Sequence, residues 1–307
     1  MAKILIATEK PFSKSAVEDI IKVVDATNHE LVLLEKYTEK QQLLDAVADA
    51  DALIVRSDIV DAEVVNAANH LKIVVRAGAG YDNLDLEAMR NKHIVAMNTP
   101  GQNANSVAEL VFGMLVFAVR NFFNGTSGTE LKGKKLGLLA FGNVGRNVAR
   151  IAKGFEMEVY AYDAFCPIAD IEAAGVHAVG TREALFDTCD IVSLHIPATA
   201  ETRGSINAQL LGRMKKGGIL VNTARKEVID EESLLQLMEE RADLKYMTDI
   251  KPDADSLFAE KLAGRYFATP KKMGAQTAEA NANAGIAAAK QIIGYIEKGI
   301  TTFQLNK

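Results

Sequence analysis

The chain has no tryptophan, two cysteines and six prolines in 307 residues, and aromatic side chains make up only 6% of it. Cys166 and Cys189 are too few for a disulfide framework and lack the spacing of a metal site. They read as reduced thiols, and the expected location is the cytoplasm. No run approaches the ~20 consecutive apolar residues of a membrane-spanning helix. The apolar stretch 4–7 is too short for a signal peptide. Charge of one sign is lacking too: 35 Lys and Arg stand against 40 Asp and Glu, a net of −5 with both signs scattered. Neither nucleic acid nor a membrane is therefore an expected partner. What is present, 49% hydrophobic and 24% charged residues, is the balance of a globular chain long enough for two cores.

Short runs rich in Ile, Val and Leu alternate with amphipathic stretches. Segments 3–7, 30–34, 52–55, 72–75 and 94–97 read as strands, and 13–24, 39–48, 61–68 and 84–91 as the helices between them. Parallel strands need crossover connections, so this alternation means a parallel sheet covered on both faces. After a long helix over 105–120 the pattern restarts, with strands at 135–139, 158–162, 191–195, 218–222, 245–249 and 266–269. The fold class is α/β, with two open parallel-sheet units. Asn98-Thr99-Pro100-Gly101 marks a break between them. A last helix, 277–298, could pack on either unit.

In the second unit, Leu139-Ala140-Phe141-Gly142-Asn143-Val144-Gly145 forms a glycine turn between a strand and a helix. Gly142, without a Cβ, lets a pyrophosphate approach the backbone at the helix start, where the N–H groups of Asn143 and Val144 and the dipole favour anions. Gly145 lets that helix lie close on its strand. Ala140 stands where the dinucleotide fingerprint has its first glycine. The next strand ends in Asp163, 18 residues after Gly145, close to the spacing of the acid that accepts from a ribose diol. Asp163 repels a 2′-phosphate, and Ala164 and Phe165 bring no cation, so the expected cofactor is NAD.

Five further segments, in order, resemble the D-isomer-specific 2-hydroxyacid dehydrogenases: Arg76-Ala77-Gly78-Ala79-Gly80-Tyr81-Asp82-Asn83, Asn105-Ser106-Val107-Ala108-Glu109-Leu110, Leu194-His195-Ile196-Pro197, Asn222-Thr223-Ala224-Arg225 and Thr269-Pro270. Within that family the chain is most similar to short-form, lysine-type D-3-phosphoglycerate dehydrogenases. The resemblance implies a flavodoxin-like substrate domain over 1–98 and 283–307 and a Rossmann NAD-binding domain over 99–282. It also implies a homodimer built through the cofactor domains, and a small anionic substrate.

Arg225 matches the family's catalytic arginine, and a guanidinium grips a carboxylate in a fixed two-point geometry. Asp249 matches the acceptor of the nicotinamide carboxamide, and His195 and Pro197 the adenine-side lining. Thr223, Ala224 and Gly274 are placed against the cofactor. The glycine loop offers N–H groups of Ala79 and Gly80 to a carboxylate. Arg56 and Arg76, each at a strand end, would read a phosphate, with Ser57 and Asn103 beside the substrate.

Two family residues are absent. The usual acid/base is a His after Thr-Pro, paired with a Glu; here Thr269-Pro270 is followed by Lys271-Lys272-Met273-Gly274-Ala275, and the Glu position falls near Ala254. Counting from Pro270 the His becomes Lys271; counting from Gly274-Ala275 it becomes Lys272. Either the site is silent and the protein an NAD-binding regulator, or a lysine moves the proton. A Glu partner would hold a lysine in its charged form, so losing both residues together is what a lysine mechanism requires. The expected reaction is oxidation of 3-phosphoglycerate to 3-phosphohydroxypyruvate, the first step of serine synthesis, with glycerate or another 2-hydroxy acid as the alternative. Hydride transfer needs the reacting carbons within about 3–3.5 Å, so domain closure belongs to turnover. Segment 120–125 is shorter than the Trp-containing arm of many relatives, so tetramer contacts are not expected. With the sequence ending at Lys307, regulation by serine is not expected either.

Overall fold

The computed structural model describes residues 1–307. The chain forms two compact units, residues 1–103 with 276–307, and residues 104–275. The first begins β1 (Lys3–Thr8), α1 (Lys14–Asp25), β2 (Glu30–Glu35), α2 (Lys40–Val47), β3 (Ala52–Val55), α3 (Ala62–Ala67), β4 (Ile73–Arg76), α4 (Leu86–Asn91) and β5 (Val95–Asn98). Its strands pair in parallel in the order β2-β1-β3-β4-β5, the flavodoxin-like arrangement. Every residue of β3 is buried, as a central parallel strand covered on both faces must be. Ser13, Asp61 and Asp85 start α1, α3 and α4 by accepting from the N–H of Ala16, Val64 and Ala88.

The second unit runs α5 (Ala104–Val119), β6 (Lys135–Leu139), α6 (Asn143–Gly154), β7 (Glu158–Tyr162), α7 (Ile168–Ala173), β8 (His177–Ala178), α8 (Arg182–Thr188), β9 (Ile191–Leu194), α9 (Ala208–Leu211), β10 (Ile219–Asn222), α10 (Glu231–Glu240), β11 (Lys245–Thr248), α11 (Asp255–Lys261) and β12 (Tyr266–Ala268). Its seven strands lie in the order β12-β11-β10-β9-β6-β7-β8, all parallel. From β6 the order is that of a Rossmann sheet, with the reversal between β6 and β9. The two-residue edge strand β8 has no counterpart in the sequence reading, because two residues carry no alternation to read.

The chain then returns to the first unit with α12 (Ala278–Lys298), capped by Thr277. Ala284, Ala288, Ala289 and Ile292 bury against the sheet face formed by Ile4, Ile6, Ile54 and Ile73. A Cβ on Gly285 would come within 2.7 Å of Ile20 Cδ1 and 3.1 Å of Phe12 Cε1, so α12 lies close on α1 because this position has no side chain. The unit boundaries correct those expected. Residues 99–103 and 276–282 belong to the small unit, since Thr99 donates its N–H to the Gly78 carbonyl and Asn281 binds Arg56. No helix is long and apolar enough to cross a membrane.

Candidate active site

In a parallel α/β sheet, ligands bind at the carboxyl ends of the strands, beside the point where strand order reverses. In the second unit that point joins the turn after β6 to the residues after β9. The turn begins with Ala140 at φ +86°, a left-handed conformation in the position where the fingerprint has glycine. A Cβ on Gly145 would come within 2.4 Å of the Ala140 carbonyl oxygen, so only glycine lets α6 sit this close. Gly142 is the N-cap of α6, and a Cβ there would meet nothing within 4 Å. The room that a pyrophosphate needs over the N–H groups of Asn143 and Val144 is therefore open.

Asp163 follows β7. Its Oδ2 accepts from Phe141 N at 2.7 Å, and Oδ1 accepts from Phe165 N and Cys166 N, both at 2.8 Å. Burial alone would raise its pKa. The three N–H bonds, with the Arg146 guanidinium nearby, outweigh that and hold the carboxyl below its ordinary value. Asp163 thus shapes the glycine turn, and its two oxygens keep further lone pairs beside it. His195 follows β9 with Nε2 buried and without a partner, and burial pushes its pKa down to about 3. The ring is accordingly neutral at physiological pH. Pro197 is exposed at the same edge.

Toward the other side of the sheet, the ends of β10, β11 and β12 are laced together. Asn222, fully buried, accepts from Ala224 N at 2.9 Å and donates to the Arg225 carbonyl at 3.0 Å, fixing the turn that carries Thr223 and Arg225. Thr248 Oγ1 lies 2.9 Å from the carbonyls of Asn222 and Ile250. Thr269 Oγ1 lies 3.0 Å from the Asp249 carbonyl and 2.7 Å from that of Lys271. The backbone of the lysine pair is thereby tied to Asp249. None of Asn222, Thr248 and Thr269 carries a role in the sequence reading, because a buried polar residue at a strand end has no local pattern that announces its partners.

Asp249 is 1% exposed; its Oδ2 accepts from Gly274 N at 2.7 Å, and its Oδ1 is buried with no partner. Burial raises its pKa, partly offset by Gly274 N–H and then by Lys272, Met273 N–H and Arg225. Lys272 and Arg225 therefore stand within electrostatic reach of Asp249. Thr223 Oγ1 is a further buried polar atom without a partner. Orphaned buried polar atoms are costly unless a ligand satisfies them. Asp249 Oδ1, Thr223 Oγ1 and His195 Nε2, together with the open cradle at Gly142, fit NAD along one edge of one sheet. The place of the family's Glu is filled differently: Ala254 gives its N–H to Glu231, Asp253 pairs with Lys226, and Asp255 pairs with Lys251 and Tyr266.

In the small unit, Arg56 follows β3, beside the reversal of strand order between β1 and β3. Its Nη1 donates to the carbonyls of Lys10 and Pro11 at 2.7 and 2.9 Å, and its Nη2 to Asn281 Oδ1 at 2.6 Å. The guanidinium also lies 5.0 Å from the Phe12 ring centre. Arg56 is thus a strut between three segments, with Nε–H and one Nη2–H left for a ligand. Arg76 Nε donates to the Arg56 carbonyl at 2.9 Å, and its guanidinium lies across Gly78, where a Cβ would collide with Nη1. The loop is held by Asn98, which donates to the Ala79 carbonyl at 2.6 Å. The backbone N–H groups of Ala79 and Gly80 donate to nothing within the protein. Ser57 is exposed beside Arg56, and Asn103 closes this stretch of the unit.

Residues 114–262 match the D-isomer specific 2-hydroxyacid dehydrogenase NAD binding domain. The chain is 46% identical to the NAD+-bound 3-phosphoglycerate dehydrogenase of Entamoeba histolytica, with a TM-score of 0.88 over 100% of this chain and 99% of that one. It is 35% identical to a hydroxypyruvate reductase of Thermotoga maritima over 95% of this chain and 98% of the relative. It is also 35% identical to a D-3-phosphoglycerate dehydrogenase of Methanocaldococcus jannaschii, over 90% of this chain but only 55% of that one. The chain spans about half the length of that last relative. With two parallel sheets, a glycine-turn cofactor cradle and an arginine after β10, the chain belongs to the D-isomer specific 2-hydroxyacid dehydrogenases. It is an NAD-dependent enzyme of that family.

Proposed function

We propose that the enzyme interconverts 3-phosphoglycerate and 3-phosphohydroxypyruvate, the first step of serine synthesis. The observation that carries this reading is the pair of arginines at the ends of β3 and β4 beside two unpartnered backbone N–H groups, a set suited to an anion with two charged ends. The 46% identity to a 3-phosphoglycerate dehydrogenase supports it.

NAD, when bound, accepts the C2 hydride of the hydroxy acid; the chain's own residues hold the ends of the substrate and move its proton. In the small unit, Arg56 and Arg76 take the phosphate, with Ser57 and Asn103 beside it, and the N–H groups of Ala79 and Gly80 take a carboxylate. In the cofactor unit, Arg225 takes the carboxylate and polarises the C2 oxygen. Lys272 exchanges the hydroxyl proton. We choose Lys272 over Lys271 because Lys272 acts electrostatically on Asp249, as Arg225 does. Both lysine side chains are exposed, and Lys271 has its carbonyl tied to Thr269. In the reducing direction the acid required is an ammonium, the ordinary state of a lysine at neutral pH.

The relative that is a hydroxypyruvate reductase favours a second reading, in which the ketoacid carries no phosphate. NADH oxidation with 3-phosphohydroxypyruvate, set beside hydroxypyruvate at equal concentration, separates the two. We expect kcat/KM at least about 100-fold higher for the phosphorylated ketoacid, the contribution of two charge-assisted contacts. Equal rates would leave a general 2-ketoacid reductase, with Arg56 as a strut alone.

We further propose a homodimer through α5. This helix is apolar on nearly every side, and its outward face carries Gly113, where a Cβ would meet nothing within 4 Å, between half-buried Leu110 and Phe117. At its end, Asn121, Phe122 and Phe123 all adopt left-handed φ of 50° to 57°, an arrangement costing roughly 1–2 kcal/mol per residue. Lys245 Nζ holds the turn through the Ala118 carbonyl and Asn121 Oδ1, and Phe123 is left 66% exposed against Phe117. A second copy would cover this aromatic face. Light scattering should give twice the chain mass, falling to one for Phe123→Glu; a monomeric wild type would remove the proposal.

A further inference from the structure

The small unit buries one carboxylate at the carboxyl ends of its strands: Asp58, 5% exposed and two residues past Arg56. Its Oδ1 accepts from Glu9 N at 2.7 Å and from the Tyr37 hydroxyl at 2.9 Å, and its Oδ2 from Arg56 N at 3.2 Å. These donors follow β1, β2 and β3, so one side chain ties three strand ends together. The Asp58 carbonyl extends the tie by accepting from Asn83 Nδ2 at 2.7 Å, in the loop after β4. Tyr37 is itself buried and remains a donor, because burial first and then Asp58 push its pKa up. A buried carboxylate is costly unless its oxygens are satisfied, and here donors from three elements converge on it.

Arg56 depends on this tie at both of its ends. Its backbone N–H is held by Asp58, and its guanidinium rests on the carbonyls of Lys10 and Pro11. Asp58 holds that same loop through Glu9 N, and Thr8 Oγ1 fixes it further by donating to the Lys10 carbonyl at 2.7 Å. With only Nε–H and one Nη2–H left for a ligand, Arg56 can meet a phosphate in few orientations. We propose that Asp58 is a positioning residue for the phosphate end of the substrate, fixing Arg56 and the loop after β1 through its three hydrogen bonds; this rests on the assignment of Arg56 to that phosphate. By charge alone Asp58 would have the opposite influence. It acts electrostatically on Arg56, and a carboxylate beside a cation repels an incoming dianion. Position and charge therefore call for changes of opposite sign when the carboxylate becomes an amide. Asparagine presents one oxygen instead of two, and its NH2 would face a backbone N–H or the Tyr37 hydroxyl. Arg56 and the loop it leans on must then shift.

The test compares 3-phosphohydroxypyruvate with hydroxypyruvate in the wild type, Asp58→Asn and Tyr37→Phe, and measures inorganic phosphate as a competitive inhibitor against hydroxypyruvate. In Asp58→Asn the preference for the phosphorylated ketoacid, as a ratio of kcat/KM values, should fall about tenfold. The loss should lie in KM for the phosphorylated ketoacid, with kcat and both constants for hydroxypyruvate within about twofold of wild type. The inhibition constant of phosphate should rise by about the same tenfold factor. Tyr37→Phe keeps the charge and removes one donor, and should lower the ratio about threefold. An unchanged ratio in Asp58→Asn, even with a lower melting temperature, would make Asp58 structural only and overturn the inference. An increased ratio would overturn it too, by showing that charge outweighs position. Equal wild-type rates with no inhibition by phosphate would remove the phosphate reading and this inference with it, whereas a wild-type preference that survives Asp58→Asn removes this inference alone. Should Asp58→Asn fail to fold, Tyr37→Phe decides, and an unchanged ratio there overturns the inference.

Discussion

Lys272→Ala is expected to lower kcat by about 10³-fold in both directions, the usual contribution of a positioned acid/base. NADH affinity should stay within about twofold, because an exposed side chain is removed. Lys271→Ala should leave kcat nearly unchanged. The pH profile discriminates further: the limb of kcat that reports the acid/base should vanish in Lys272→Ala, and a small primary amine added to the assay should restore part of the rate. If Lys271→Ala shows the loss instead, the alignment counted from Pro270 is the right one. If neither variant slows turnover, no lysine moves the proton. The carboxylates beyond Asp249 are already committed to other partners. Asp253, Asp255 and Glu231 are engaged in ion pairs or backbone hydrogen bonds, and His195, on the adenine side, is a neutral ring.

The second large effect belongs to Arg225. Arg225→Gln is expected to lower kcat/KM by about 10³-fold, since it removes both a two-point carboxylate grip and a charge beside the developing C2 oxyanion. Arg225→Lys keeps the charge but loses the fork, and should recover only about tenfold of that. Steady-state kinetics with the ketoacid varied at saturating NADH separates the two contributions. A rise in KM alone reports lost binding, and a fall in kcat reports lost stabilisation of the transition state. An Arg225→Gln enzyme with nearly wild-type kcat/KM would show that the carboxylate is held elsewhere. Asn222 gives the arginine its precision. Its amide bridges Ala224 N–H and the Arg225 carbonyl, so the side chain leaves a turn held from both ends.

How much of this was legible in the sequence varies with the range of the interaction responsible. Strands such as 52–55, 135–139 and 158–162 fall where alternation places them, because a buried parallel strand needs apolar residues on both faces. Others end one residue earlier than read. His195, Asp249 and Thr269 lie just past β9, β11 and β12, in the loops where α/β sheets carry their ligands. The glycine turn and Asp163 were readable because a strand, a tight turn, a helix and a second strand follow each other within about 30 residues, the length of one βαβ unit. The lysine pair was readable only as a pair, since one residue of register separates the two alternatives.

The class of fold, the cofactor cradle and a lysine pair after Thr269-Pro270 can be read from the sequence, because each depends on residues close together in the chain. Tertiary structure alone decided which unit α12 joins, where Ala284, Ala288 and Ile292 find a sheet face and Gly285 admits α1. It also decided that Arg56 is partly consumed by Asn281, 225 residues away, and that the Asp163 carboxylate is held by the N–H groups of Phe141, Phe165 and Cys166. Periodicity reports whether a segment has a face to bury. Which donor meets which acceptor depends on how the strand ends are brought together, and that becomes definite only when the sheets have formed.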